Sequence, residues 1–167
     1  GNPMTTIEKQ DQAISLDEAL HRAGRQAFAN TGGEDGLGQI GLEQEFIPIA
    51  TDEAGRPLGR VPLEGPGGIY ASFDRLALEG GCLWLRPGPK GLTREFRLRN
   101  EGRITFEPGG QIEHSTTVHP TAHAALEDVR QVHESLSRAL SRDGKVLAAA
   151  GTDLWHPVED IPLMLHG

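Results

Sequence analysis

The sequence predicts an α+β fold, with an antiparallel sheet of about five or six strands and three helices. Three observations predict it. Short alternating segments are separated by turns, as 22 Gly and 11 Pro in 167 residues suggest. Two such segments, 94–99 and 103–107, flank Asn100-Glu101-Gly102, a loop that returns the chain antiparallel to itself. Helical periodicity is confined to a few stretches, the clearest being long and amphipathic near 120–142. With 37% apolar and 24% charged residues, the chain can bury a core.

Gly1-Asn2-Pro3 ahead of Met4 reads as a cloning remnant, and residues 4–14 are polar and expected to fray. Residues 1–15 are therefore set apart from a single α+β domain over 16–167. Ser15-Leu16-Asp17-Glu18 is a capping box, and Leu16, Leu20, Ala23, Ala27 and Phe28 continue it as a helix near 16–29. Thr31-Gly32-Gly33 stops that helix. Residues 38–49 read as a strand, with Gly41, Glu43, Glu45 and Ile47 on one face and Leu42, Gln44 and Phe46 on the other. A turn at 52–57 lets Leu58–Val61 pair back. Ile69, Phe73, Leu76 and Leu78 mark a short helix near 69–79, which Gly80-Gly81 ends. Residues 82–86 form the next strand, followed by the 94–107 hairpin. Pro108-Gly109-Gly110 forces a second tight turn, and residues 111–115 return as another strand. Pro120 opens the long helix, whose apolar stripe is Leu126, Val129, Leu136 and Leu140. Asp143-Gly144 ends it. Residues 145–151 are a buried-looking strand, and 152–167 read as loop.

The net charge of −8 argues against a nucleic-acid partner and suits a protein that holds cations. The longest apolar run, Val146 to Ala150, is far short of the roughly 20 residues a membrane span needs. A single cysteine, Cys82, excludes an internal disulfide framework and a Cys-rich zinc site and reads as a small core residue. The first 20 residues contain no apolar secretory core, so a cytoplasmic setting is expected.

Two constellations could carry chemistry. Glu43 and Glu45 project from the same side of a strand, where their repulsion is relieved by a cation or by water. Glu107 ends one strand at the Pro-Gly-Gly turn, and Gln111 and Glu113 share a face of the next. Were this hairpin to lie beside the Glu43 strand, four carboxylates would meet on one face, a seat for Mg²⁺ bridging nucleotide phosphates. The residues alone leave open a solvated acidic face and an ordinary hairpin. His119 and His123 have zinc-like spacing, but Pro120 places them at a helix start and no Glu accompanies them; surface histidines are the better account. Residues 32–38 lack the Lys-Ser/Thr ending of a phosphate loop, and Trp84 and Trp155 read as packing residues.

Gly-Leu-Glu-Gln-Glu-Phe at 41–46, Glu-Pro-Gly-Gly-Gln-Ile-Glu at 107–113 and Asp-Ile-Pro-Leu-Met at 160–164 together resemble the glutamate–cysteine ligase family of plant and proteobacterial type. The resemblance spans roughly residues 16–167. It implies a glutamine-synthetase-like catalytic half whose sheet carboxylates hold roughly two or three Mg²⁺ ions against the substrate ATP. It also implies phosphorylation of the glutamate side chain, attack by the cysteine amine, and release of γ-glutamylcysteine, ADP and phosphate, a step of glutathione biosynthesis. Carried onto this sequence, Glu43, Glu45, Glu107 and Glu113 become metal ligands and Gln111 a substrate contact. Two departures stand out. His114-Ser115-Thr116-Thr117 replaces a common Leu-Ser-Gly, which suggests a change near the substrate rim. Family enzymes also run on past this length, so the chain is expected to be the N-terminal part of a larger catalytic domain, inactive alone. A related carboxylate–amine ligase using another amine, and a non-catalytic binding or regulatory domain of the same fold, are the alternatives.

Overall fold

Alternation along residues 41–51 requires a strand with two unlike faces, and the computed structural model builds the fold around that strand. It describes residues 15–18, 20–22, 25, 39–79, 83–87 and 94–155. The strands are β1 (Gly41–Thr51), β2 (Pro57–Arg60), β3 (Leu83–Pro87), β4 (Arg94–Leu98), β5 (Arg103–Phe106), β6 (Ile112–Ser115) and β7 (Lys145–Trp155). Helix α1 contains the helical residues at 16–18, 20–22 and 25. Helices α2 (Ile69–Leu78) and α3 (Ala122–Ser141) follow. The α+β class stands.

All pairings are antiparallel, in the order β2-β1-β6-β5-β4-β3 with β7 also on β1. Short Pro57–Arg60 pairs back onto β1 and brings the sheet to seven strands. Strand β7 runs along the whole of one edge of β1, from Gly41↔Trp155 to Ala50↔Lys145. The other edge is shared by β6, at Glu43↔Ser115 through Phe46↔Ile112, and β2, at Ile49↔Arg60 through Thr51↔Pro57. β1 is therefore the hinge of the architecture, and both of its faces propagate through its neighbours.

One face is covered. Phe46, Phe96, Ile104 and Ile112 meet Ile69, Phe73 and Leu76 of α2 and Leu136 and Leu140 of α3 in one apolar cluster. Phe73, Phe96 and Phe106 pack with ring centroids 5.3 to 5.8 Å apart, in the tilted and edge-to-face arrangements that aromatic quadrupoles favour. A second cluster joins Leu20 of α1 to Ile40, Leu42 and the start of α3 through Ala122, Ala125 and Val129. Burying side chains of this size stabilises the fold by about 1.5–3 kcal/mol each.

The termini of the elements follow side-chain chemistry. Ser15 Oγ accepts from the Glu18 amide at 3.2 Å, the predicted cap of α1. The long helix begins differently from expectation. Thr121 is its cap, accepting from the Ala124 amide at 3.1 Å, and Pro120 lies one residue outside. Residues 152–155, read as loop, extend β7 because they pair with the start of β1. At the other end, buried Lys145 donates to Ser72 Oγ at 2.6 Å, and Ser72 and Arg75 both donate to Asp143. This network fastens α2 to the turn between α3 and β7. Cys82, the Gly-rich 32–38 stretch and the 160–164 motif lie outside the described residues.

The carboxylate face of the sheet

The face of β1 turned away from the helices carries Glu43 and Glu45, both half-buried. Register carries this face across the sheet. One row reads Asp153, Glu43, Ser115, Arg103 and Arg97 across β7, β1, β6, β5 and β4. The next reads Gly151, Glu45, Glu113, Thr105 and Glu95. Glu45 and Glu113 are thus direct cross-strand partners, side chains about 5 Å apart at Cβ, where like charges repel.

The Pro-Gly-Gly turn places the fourth carboxylate. The Gly110 amide donates to the Glu107 carbonyl at 2.9 Å, and the Glu107 amide donates to the Gln111 carbonyl at 2.8 Å. Pro108 takes the favoured second position of the turn, and Gly110, at φ 93°, closes it in a conformation that glycine adopts without strain. Glu107 is held by backbone bonds at both its N–H and C=O. Gln111 pairs with it and alternates onto the same side as Glu113. A Cβ on Gly109 would come within 2.6 Å of the Gln111 side-chain oxygen, so the amide lies back over the turn.

The electrostatics register the cluster. Burial pushes the Glu113 carboxyl above its ordinary range, and Glu43, Glu107 and Glu45 push it further. A weak hydrogen bond from Ser115 at 3.4 Å opposes the rise. Three of the predicted carboxylates therefore act on the fourth, Glu113. Among the described residues, though, no three His, Cys, Asp or Glu side chains converge into a ready-made metal cage. Space is present beside them. Gly151 lies opposite Glu45, and a Cβ built there would meet nothing within 4 Å. The β1–β7 register also slips just after Glu45, an irregularity that turns neighbouring side chains relative to one another.

One acidic residue on this face escaped the sequence reading. Asp153 is exposed directly across β1 from Glu43, which only the extension of β7 makes apparent. Trp155 lies over Gly41, where any Cβ would strike its indole ring, so glycine at 41 is what admits the ring. The histidines behave otherwise. His119 Nε2 is 2.8 Å from Asp128 Oδ2, and Asn100 donates to the same carboxylate at 2.9 Å, a structural bridge from the 98–102 turn to α3. His123 is exposed at the start of α3. His114, expected near a substrate rim, points to the covered face and is fully buried. Strand alternation next to Glu113 could have shown that. No helix among the described residues is long and apolar enough to cross a membrane.

Among known proteins, the family model described as glutamate-cysteine ligase family 2 matches residues 39–165. None of the curated proteins and none of the solved structures matches the chain.

Proposed function

The chain belongs to glutamate-cysteine ligase family 2, a family of carboxylate–amine ligases, and from that premise we propose that it supplies the Mg²⁺- and ATP-binding face of such an enzyme. The observation that carries the reading is the crowding of Glu43, Glu45 and Glu107 around Glu113 on one open face. Four hard oxygen donors fit Mg²⁺, which keeps waters and takes phosphate ligands rather than requiring an all-protein cage. Glu43, Glu45, Glu107 and Glu113 would hold it. When bound, it would neutralise charge on the phosphates of ATP.

The residues of the chain then have positioning work to do. Strands β1 and β6 fix Glu43, Glu45 and Glu113 by register, and the turn fixes Glu107, so little is left to reorganise as charge moves. Gln111 is the polar side chain nearest the turn and would contact substrate. In the proposed reaction a side-chain oxygen of glutamate attacks the terminal phosphorus of ATP, and ADP leaves. The amine of cysteine then attacks the acyl carbon of the glutamyl phosphate, and phosphate leaves as the amide forms. The departure at His114 faces the helices rather than the carboxylates, so it offers no support for a different amine.

Glu107→Gln in the active enzyme tests the assignment. Turnover is expected to fall by orders of magnitude while the melting temperature holds, because only the charge at the turn is lost. An unchanged kcat at saturating Mg²⁺ and ATP would overturn it. Replacing cysteine by a panel of other amines in the same assay identifies the acceptor.

A further inference from the structure

The carboxylates occupy only one side of the open face. Two strands across from Glu43, about 10 Å at the usual strand spacing, the same row reaches Arg103 and then Arg97. These arginines are direct cross-strand partners, an arrangement that repels. Arg97 is occupied. Its Nε lies 3.0 Å from Glu95 Oε1, and its Nη1 donates to the Glu101 carbonyl at 3.1 Å. The Arg103 side chain is exposed and has no hydrogen-bond or ion-pair partner among the described residues. Its neighbours in the row are a cation on one side and the neutral Ser115 on the other.

We propose that Arg103, backed by Arg97, is a binding subsite for a second anionic group, carboxylate or phosphate, of a substrate held at the glutamate cluster. The proposal rests on the ligase reading for what occupies the carboxylates. A molecule bound there through cations presents its remaining negative charge along the row, toward the one side where a cation, Arg103, stands without a counter-charge. A planar guanidinium binds carboxylate or phosphate through two parallel hydrogen bonds, which a compact ammonium cannot reproduce. An anion between Arg103 and Arg97 also relieves their repulsion.

Calorimetric titration of the 167-residue chain with Mg²⁺ alone, with glutamate, and with ATP tests this, comparing the native chain with Arg103→Gln and Arg103→Lys. Arg103→Gln is expected to weaken one anion about tenfold, to leave Mg²⁺ affinity unchanged, and to preserve or raise the melting temperature. Loss confined to glutamate identifies the substrate carboxylate, and loss confined to ATP the phosphate. Arg103→Lys should recover only part of the affinity. Equal binding by the native and Arg103→Gln chains overturns the proposal, as does failure of the native chain to bind either anion. Failure of the ligase reading looks different: Arg103-dependent anion binding would persist while Glu45→Gln left Mg²⁺ affinity untouched.

Discussion

Glu113 and His114 are consecutive on β6, face opposite sides of the sheet, and are both driven toward their uncharged forms. Their surroundings differ. Glu113 is half-buried, and the crowding of Glu43, Glu107 and Glu45 adds to the effect of burial. His114 is fully buried, both ring nitrogens lack partners, and burial pushes it down to about 4, with Asp128 pulling back. On the open face, charge is crowded and a cation would relieve it. On the covered face, water has been removed and no ion can substitute. The two faces of one sheet thus divide the labour between binding and stability, and substitutions should sort accordingly.

The largest contrast is between deleting packing and deleting charge. Phe96→Ala, in the ring cluster with Phe73 and Phe106, is expected to cost about 3–5 kcal/mol. Glu45→Gln on the other face should stay within about 0.5 kcal/mol of the native chain, because it leaves no cavity and removes a repulsion. Urea denaturation at neutral pH measures both. Comparable losses would break the division between the faces.

His114 yields the next effect. Its folded value of about 4 lies below the ordinary 6.5, so the unfolded chain binds the proton more readily. Stability is therefore complete above pH 6.5 and declines as the pH falls toward 4, by roughly 3 kcal/mol in all. His114→Leu keeps the bulk, removes two unsatisfied nitrogens and should erase that slope. Chemical denaturation of both chains across pH 4 to 7.5 checks it (range set by the titration). A slope that survives the substitution would assign the acid sensitivity elsewhere.

Much of this division was legible in the sequence. Alternation at 41–47 assigned Glu43 and Glu45 to one side and Phe46 to the other, and the Pro-Gly-Gly turn announced where Glu107 would sit. What local reading missed has a common cause. Pairing between β1 and β7 joins residues about a hundred positions apart, so neither the extension of β7 to Trp155 nor the position of Asp153 leaves a local trace. The Arg97↔Arg103 pair likewise depends on the register that the 98–102 turn imposes. That turn itself is unusual: Glu101, not Gly102, takes the positive φ of 73°. His114 is the instructive error. Its place in a motif suggested the substrate rim, whereas simple alternation from Glu113 turns it inward.

The smallest expected effect bears most directly on what the open face is for. A carboxyl whose folded pKa is raised stabilises the fold only below its unfolded value, near 4.5, and that contribution disappears as the pH rises through the folded value. Without cations, then, Glu113→Gln should slightly raise the melting temperature at pH 7.5 and leave it unchanged at pH 4, where native Glu113 is already protonated. Mg²⁺ reverses the sign, since a cation among the four glutamates favours their charged forms. At tenfold its dissociation constant it should add about 1.4 kcal/mol to the native chain at pH 7.5, and less at pH 4, where a proton competes for Glu113. Glu113→Gln should lose most of that gain, whereas His114→Leu, one residue away and facing the helices, should keep all of it. Thermal melts of the three chains with and without Mg²⁺ decide the matter. If Mg²⁺ stabilised Glu113→Gln as strongly as the native chain, the crowding of these carboxylates would be a solvated acidic surface and not a cation site.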